Sequence, residues 1–165
     1  MKKKPIFLSV CADDYGITNN VNNSIIKLID KKRITETSCI VIANDFEINL
    51  RELIKRKQKI DIGLHLTLTN FSPLTKFNIM KKNNKLPSVI LLFLYLLFNK
   101  KALNIIKKEI DSQYNKFVKC FGFKPDFIDG HHHVHQFPHI GKLILSLIKK
   151  NYTKDEYPWI RLSSD

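Results

Sequence analysis

Three stretches of the sequence carry side chains suited to binding a metal ion and moving protons: "CADDYG" with Asp13 and Asp14, "GLHLTLT" with His65, and "DGHHHVH" from Asp129 to His135. Five of the six histidines lie between positions 131 and 139. A purification tag would be an unbroken terminal run, whereas this cluster is internal, interrupted by Val134 and preceded by an acid and a glycine. A hydrolytic metal site needs about three nitrogen or oxygen ligands, an open position for water, and a carboxylate to take the water's proton. Adjacent aspartates can divide that work, because successive residues leaving a strand point in different directions. Strand periodicity through the histidine run would send Asp129, His131, His133 and His135 to one side and His132 and Val134 to the other. One or two of the inward imidazoles could then ligate an ion, with Asp129 orienting one of them as a hydrogen-bond acceptor.

The elements that must position these groups alternate along the chain. "PIFLSVCA", residues 5 to 12, predicts a buried strand with the aspartates at its carboxyl end. Thr18 or Asn19 can cap a helix whose apolar positions Val21, Ile25, Leu28 and Ile29 fall on one face. A strand over 37–43, a helical segment near 46–56 and a strand over 60–69 follow. In the last, Leu64, Leu66 and Leu68 alternate with His65, Thr67 and Thr69, which puts His65 on the polar face. Residues 70–85 read as loop. The uncharged "VILLFLYLLF", residues 89–98, predicts a buried helix, since ten residues fall well short of the ~20 needed to span a bilayer. A helix over 101–120 stops at Gly122 and Pro125; a strand runs into the histidine cluster; a helix over 139–150 leads to a last short strand in "WIRLSS". Strand and helix in alternation argue for an α/β fold built on a parallel sheet or β/α barrel, whose sites form at the carboxyl ends of the strands.

Composition narrows the function class. The chain has 165 residues, the size of one domain, and 44% hydrophobic residues, enough for a sizeable core. Its net charge of +13 is dispersed in short lysine runs without interleaved aromatics, which speaks for a solvated surface and against a nucleic-acid partner. Cys11, Cys39 and Cys120 are odd in number and widely spaced, so reduced thiols are expected. The apolar run near the N-terminus is cut by Asp13 and Asp14, unlike a signal peptide, and a cytoplasmic location with no membrane span is expected.

"CADDYGIT", "GLHLTLT" and "DGHHHVHQFP", with "KKEIDSQYNKF" between the last two, resemble the YdjC-like carbohydrate deacetylases, in order across nearly the whole chain. The resemblance implies a (β/α) barrel-like enzyme that uses one divalent metal ion to hydrolyse the acetamide of an N-acetylated carbohydrate. It implies Asp14, His65 and His131 as metal ligands and Asp13 as general base. Arg161, in "WIRLSS", would orient substrate or a carboxylate. His133 or His135 would protonate the departing amine, with His135 also expected at the substrate. Oxygen and imidazole donors leave Mg or Zn foremost, with Mn and Co compatible. The alternatives are a phosphoesterase-type metal hydrolase, which would need two ions and a bridging carboxylate, and an inactive fragment serving as a basic binding module. A full eight-unit barrel needs about 250 residues, so residues 1–165 predict a single domain forming the first part of a longer barrel, incomplete at its C-terminus. Its uncovered edge and the apolar run at 89–98 predict a homo-oligomer.

Overall fold

The computed structural model describes residues 8–76, 85–99 and 102–162. Five parallel strands pair in sequence order: β1 (Cys11–Tyr15), β2 (Glu36–Cys39), β3 (Asp61–Leu66), β4 (Phe127–Gly130) and β5 (Trp159–Ile160). Between them run α1 (Asn19–Asp30), α2 (Leu50–Ile54), α3 (Val89–Phe98) with α4 (Ala102–Phe121), and α5 (Pro138–Asn151). Every crossover is thus helical, as parallel pairing requires. The edge strands β1 and β5 do not pair with each other, yet Arg161, just past β5, reaches Asp13 on β1 at 2.7 Å. The sheet is therefore open but curled, an incomplete barrel, and a cavity of about 590 Å³ lined by Cys11, Glu36, Trp159, Arg161 and Leu162 lies in the gap.

Local chemistry sets the element boundaries. Thr18 is extended and its hydroxyl accepts the Val21 N–H at 3.2 Å, opening α1, which buries Ile25 and Ile29. Helix α4 turns Ile106, Ile110, Tyr114, Phe117 and Phe121 to the core and ends at Gly122, whose φ of 78° is the left-handed stop that a side chain would resist. In β3, Gly63 is required by packing, because a Cβ there would lie 2.5 Å from the Phe127 ring of the neighbouring strand.

Besides the strand expected over 37–43, which ends at Cys39 as β2, four features differ from the sequence-based expectations. The first strand lies later than residues 5–12: it starts at Cys11 and contains both aspartates, while residues 5–7 fall outside the described part. Its register against β2 shifts between Ala12 and Tyr15, and Asp14 has a φ of 65°. The strand thus bulges at the aspartates, a distortion that re-aims side chains beside a site. In the second difference, the strand expected over 60–69 ends at Leu66, and Thr67 and Thr69 are as buried as the leucines, so both faces are covered.

The third difference concerns the histidine run. Strand β4 ends at Gly130, and His132 and His133 both take φ 54° in a tight turn spanning His131–Gln136. Period-two alternation is lost there. His135 folds back so closely on Gly130 that a Cβ at that glycine would sit 2.9 Å from its Nδ1. Fourth, α3 is not buried: Leu92 and Leu96 face the core, while Ile90, Leu91, Phe93, Leu94, Leu97 and Phe98 are exposed. No helix among the described residues is long and apolar enough to cross a membrane.

Candidate metal centre

The bulge in β1, the middle of β3 and the end of β4 bring Asp14, His65 and His131 together, with one donor atom from each lying within 4.8 Å of the others. Asp14 Oδ1 is 3.3 Å from His65 Nε2 and 3.2 Å from His131 Nδ1. One carboxylate oxygen and two imidazole nitrogens therefore converge from three strands. Hydrogen bonds from His131 and His65 hold the Asp14 carboxyl far below the usual range, against a smaller opposing effect of burial.

His65 is oriented from behind. Its Nδ1 lies 2.7 Å from Asp129 Oδ1, and since a carboxylate only accepts, that nitrogen carries the proton and Nε2 faces Asp14. Ser38 Oγ lies 3.0 Å from the same nitrogen. Burial pushes the imidazole pKa down, but hydrogen bonds to Asp129 and Asp14 and the charges of Asp129 and Asp13 outweigh it, raising it to about 9. Without an ion the ring holds a second proton between two carboxylates. A divalent cation can replace that proton at Nε2 without leaving a buried charge unpaired, so the residues present fit a metal.

Beside this centre lies a second, differently filled cluster. Arg161 grips Asp13 with both terminal nitrogens, at 2.7 Å each, and its Nη2 is 2.9 Å from Asp129 Oδ2. One guanidinium thus joins the carboxylate beside the centre to the carboxylate that orients His65. Burial raises the Asp13 pKa, yet the hydrogen bonds and charge of Arg161, helped by His65 and Cys11, more than compensate and lower it. Cys11, Asp13 and Asp129 also offer donors within 4.8 Å of one another, but the guanidinium already supplies their positive charge. Burial and the neighbouring Asp13 push the Cys11 thiol far up, away from the thiolate a metal would need.

The remaining expected site residues separate. His133 sits on the exposed part of the turn. His135, expected at the substrate, is only 3% exposed, and its Nε2 donates to the Arg161 carbonyl at 2.7 Å, so it braces the end of β5. Of the two roles expected of Arg161, orienting a carboxylate is the one its contacts serve. Several residues of this edge had no expected role. Thr69 Oγ1 lies 2.9 Å from His132 Nδ1, and the Phe71 ring meets the His131 ring edge to face at 5.6 Å. Behind them, buried Glu109 and Gln113 hold the chain after β3. Glu109 and Gln113 belong to "KKEIDSQYNKF", and their four-residue spacing on an otherwise apolar helix face was the available signal.

A family model described as YdjC-like protein matches residues 7–165. A chitooligosaccharide deacetylase of Proteus mirabilis is 33% identical over 139 residues, covering 83% of this chain and 53% of that protein. One of Escherichia fergusonii is 31% identical, covering 84% of this chain and 54% of its own length. The chain thus spans about half the length of the curated relatives it matches. A crystal structure from Enterococcus faecalis V583, of a protein provisionally described as a cellobiose-phosphate cleavage protein, superposes with a TM-score of 0.72 at 25% identity, covering 86% of this chain and 55% of that one. On the match of the family model to all but the first few residues, the chain belongs to the YdjC-like family.

Proposed function

We propose that the protein is a metal-dependent carbohydrate deacetylase that hydrolyses the acetamide of an N-acetylated sugar or oligosaccharide. The observation that carries this reading is the convergence of Asp14, His65 and His131 from three strand ends, with a tethered carboxylate, Asp13, beside them. The names of the two curated relatives support the substrate class. A divalent ion held by Asp14 Oδ1, His65 Nε2 and His131 Nδ1 would supply Lewis acidity and an acidified water.

The chain's own groups then do the rest. Asp13 accepts the attacking water's proton through the lone pairs that Arg161 leaves open, and Arg161 fixes its direction. Asp129 keeps the His65 ring in place and its Nε2 forward. His133, two residues beyond His131 on the exposed side of the turn, is the group we assign to protonating the departing amine nitrogen, a role that rests on its sequence position beside the centre and on imidazole chemistry. A set of two imidazoles and one carboxylate suits Zn best among the ions considered, with Mg, Mn and Co as alternatives.

Two further properties belong to the same reading. Free Cys11, Cys39 and Cys120 support a reducing compartment, the cytoplasm. The exposed apolar face of α3 and the uncovered edge of the sheet support a homo-oligomer. The deciding experiment incubates the protein with N-acetylated chitooligosaccharides and each divalent ion in turn, and measures acetate. Ion-dependent acetate release that chelation abolishes is the expected result. No acetate from any sugar with any ion would overturn the reading.

A further inference from the structure

A cavity of about 350 Å³ adjoins the candidate metal centre. Its walls come from three strand-to-helix connections: Ile17 after β1, Ile42 and Asn44 after β2, and Asn70, Phe71 and Ser72 after β3, with Lys85 at the rim. Two contacts tie it to the centre. Phe71 touches the His131 ring, and the Ile17 N–H donates to the carbonyl of Asp14 at 3.1 Å.

We propose that this cavity is the subsite for one pyranose ring of the substrate, with its wall at residues 67–75 held in place by Glu109 and Gln113. The inference rests on the deacetylase reading and specifies where that substrate's ring sits. The volume lies at the small end of the roughly 300–1,000 Å³ typical of small-molecule sites, which suits a single ring. The lining suits a sugar, because it combines an aromatic ring, for the apolar face of a pyranose, with planar amides, for its hydroxyls. Among the described residues the side-chain amides of Asn44 and Asn70 make no hydrogen bond, and both residues are exposed. Asn70 holds a left-handed φ of 63°, fixed by its N–H bonds to the carbonyls of Leu86 and Pro87 at 3.2 Å each.

The wall is clamped from the core side. The Gln113 amide both accepts the Thr67 N–H at 3.0 Å and donates to the Thr67 carbonyl at 2.7 Å, as a neighbouring strand would. The Glu109 carboxylate accepts the N–H groups of Leu74 and Thr75, the Thr75 hydroxyl and the Gln113 amide, at 2.7 to 3.1 Å. Both side chains are fully buried. Thr67 and Thr75 are thus pinned, and Thr69, Asn70 and Phe71 between them are presented to His132, the cavity and His131. A buried carboxylate spent on loop backbone in this way favours placement of the loop over stability, since apolar residues could fill the same space.

Binding of N,N′-diacetylchitobiose by calorimetry, measured beside Mn²⁺ affinity, tests the proposal without relying on turnover. Asn44→Ala and Phe71→Ala should each weaken sugar binding by roughly tenfold, the scale of one lost aromatic or amide contact. Asn44→Ala should leave Mn²⁺ affinity unchanged. Glu109→Gln, which replaces an accepting oxygen with a donor facing Thr75, should weaken sugar binding while sparing Mn²⁺; a merely structural role would lower both. If the unchanged protein binds the sugar and all three variants bind it equally well, the subsite is overturned while the deacetylase reading stands. If the unchanged protein binds no N-acetylated sugar at all, both readings fall.

Discussion

At the carboxyl edge of the sheet the polar side chains are inside, with Asp129 at 0% and His65 at 3% exposure, whereas on α3 the apolar side chains are outside, with Ile90 at 68% and Phe98 at 85%. Both regions invert the ordinary sorting of residues, but they do so differently. The polar groups of this edge hold one another, the buried Asp129 through His65 and Arg161, and the partly exposed Asp13 and Asp14 through Arg161 and through His65 and His131. Removing one member strands the rest in a medium that penalises unpaired charge. On α3 the outward side chains form no charged network among the described residues; Phe93 meets the Phe137 ring edge to face at 5.4 Å, while Leu94 and Leu97 can be changed without stranding a charge. Mutual dependence marks the region built for chemistry; independence marks a surface. The comparison breaks if edge substitutions prove mild or additive, or if those on α3 prove costly.

The largest effects should follow from separating the two aspartates. Asp13→Asn should leave a divalent ion bound but cut acetate release by about 10² to 10⁴, because an amide cannot accept the water's proton. Asp14→Asn should weaken the ion itself, as should His65→Ala, each by at least roughly tenfold. Calorimetric titration beside the acetate assay separates the cases. Equal loss of ion affinity in the Asp13 and Asp14 variants would show that the two carboxylates share one task.

Next in size is Asp129→Asn. The amide can still accept from His65 Nδ1, but it no longer neutralises Arg161 or favours the forward tautomer as a carboxylate does. Ion affinity should fall by about 10- to 100-fold, the usual cost of losing the group that orients a ligating histidine. Unchanged affinity would mean that Ser38, 3.0 Å from the same nitrogen, suffices to hold the ring.

How far the sequence foretold these two regions follows from the range of the interactions involved. The parallel α/β order, the Thr18 cap and the long amphipathic α4 rest on local periodicity and capping, and could be read directly. That Asp14, His65 and His131 converge followed from strand ends sharing one edge of the sheet, together with the motif resemblance. The grip of Arg161 on Asp13 spans 148 positions and has no local signature. The bulge at Asp14 depends on pairing with β2, so the apolar run alone placed the strand too early. The fold-back of His135 depends on the missing side chain of Gly130, which strand periodicity does not weigh. The burial expected of α3 fails because uniform hydrophobicity says that a segment avoids charge, not which face finds cover; Leu92 and Leu96, one turn apart, are buried, and Val89 and Tyr95 pack partly against the core.

A smaller, pH-dependent effect distinguishes the ion-free edge from the rest of the fold. The His65 pKa is raised from 6.5 to about 9 by its carboxylate neighbours, despite its burial. A raised folded-state pKa means that protonation favours the folded state. That contribution is complete below the unfolded value near 6.5 and is lost as pH rises through about 9. With chelator present, the melting temperature should therefore fall between pH 6.5 and 9.5, by on the order of 5 °C. Because an incoming cation must displace the Nε2 proton, ion affinity should rise across the same interval. His65→Asn should flatten both profiles; if the slope of either persists, some other group is responsible.

The smallest effect on stability is expected on α3, and it tests the other side of the comparison. Leu94→Gln and Leu97→Gln replace side chains that are 44% and 54% exposed, so unfolding free energy should change by no more than about 0.5 kcal/mol. Leu92→Ala, on the buried side of the same helix, should cost about 2–5 kcal/mol, which shows that the helix itself is docked and that only its outward face is free. What the exposed substitutions should change is association. Six large apolar residues on one short helix form a patch of the kind that marks an interaction surface, and the proposed homo-oligomer would cover it. Light scattering at tens of micromolar should report a dimer or larger species for the unchanged protein and a smaller one for the doubly substituted protein. If the unchanged protein is already a monomer, or if the double variant associates as before, α3 is not the surface through which copies meet. If the double variant unfolds, the outward face of α3 is part of the core and the contrast with the carboxyl edge fails.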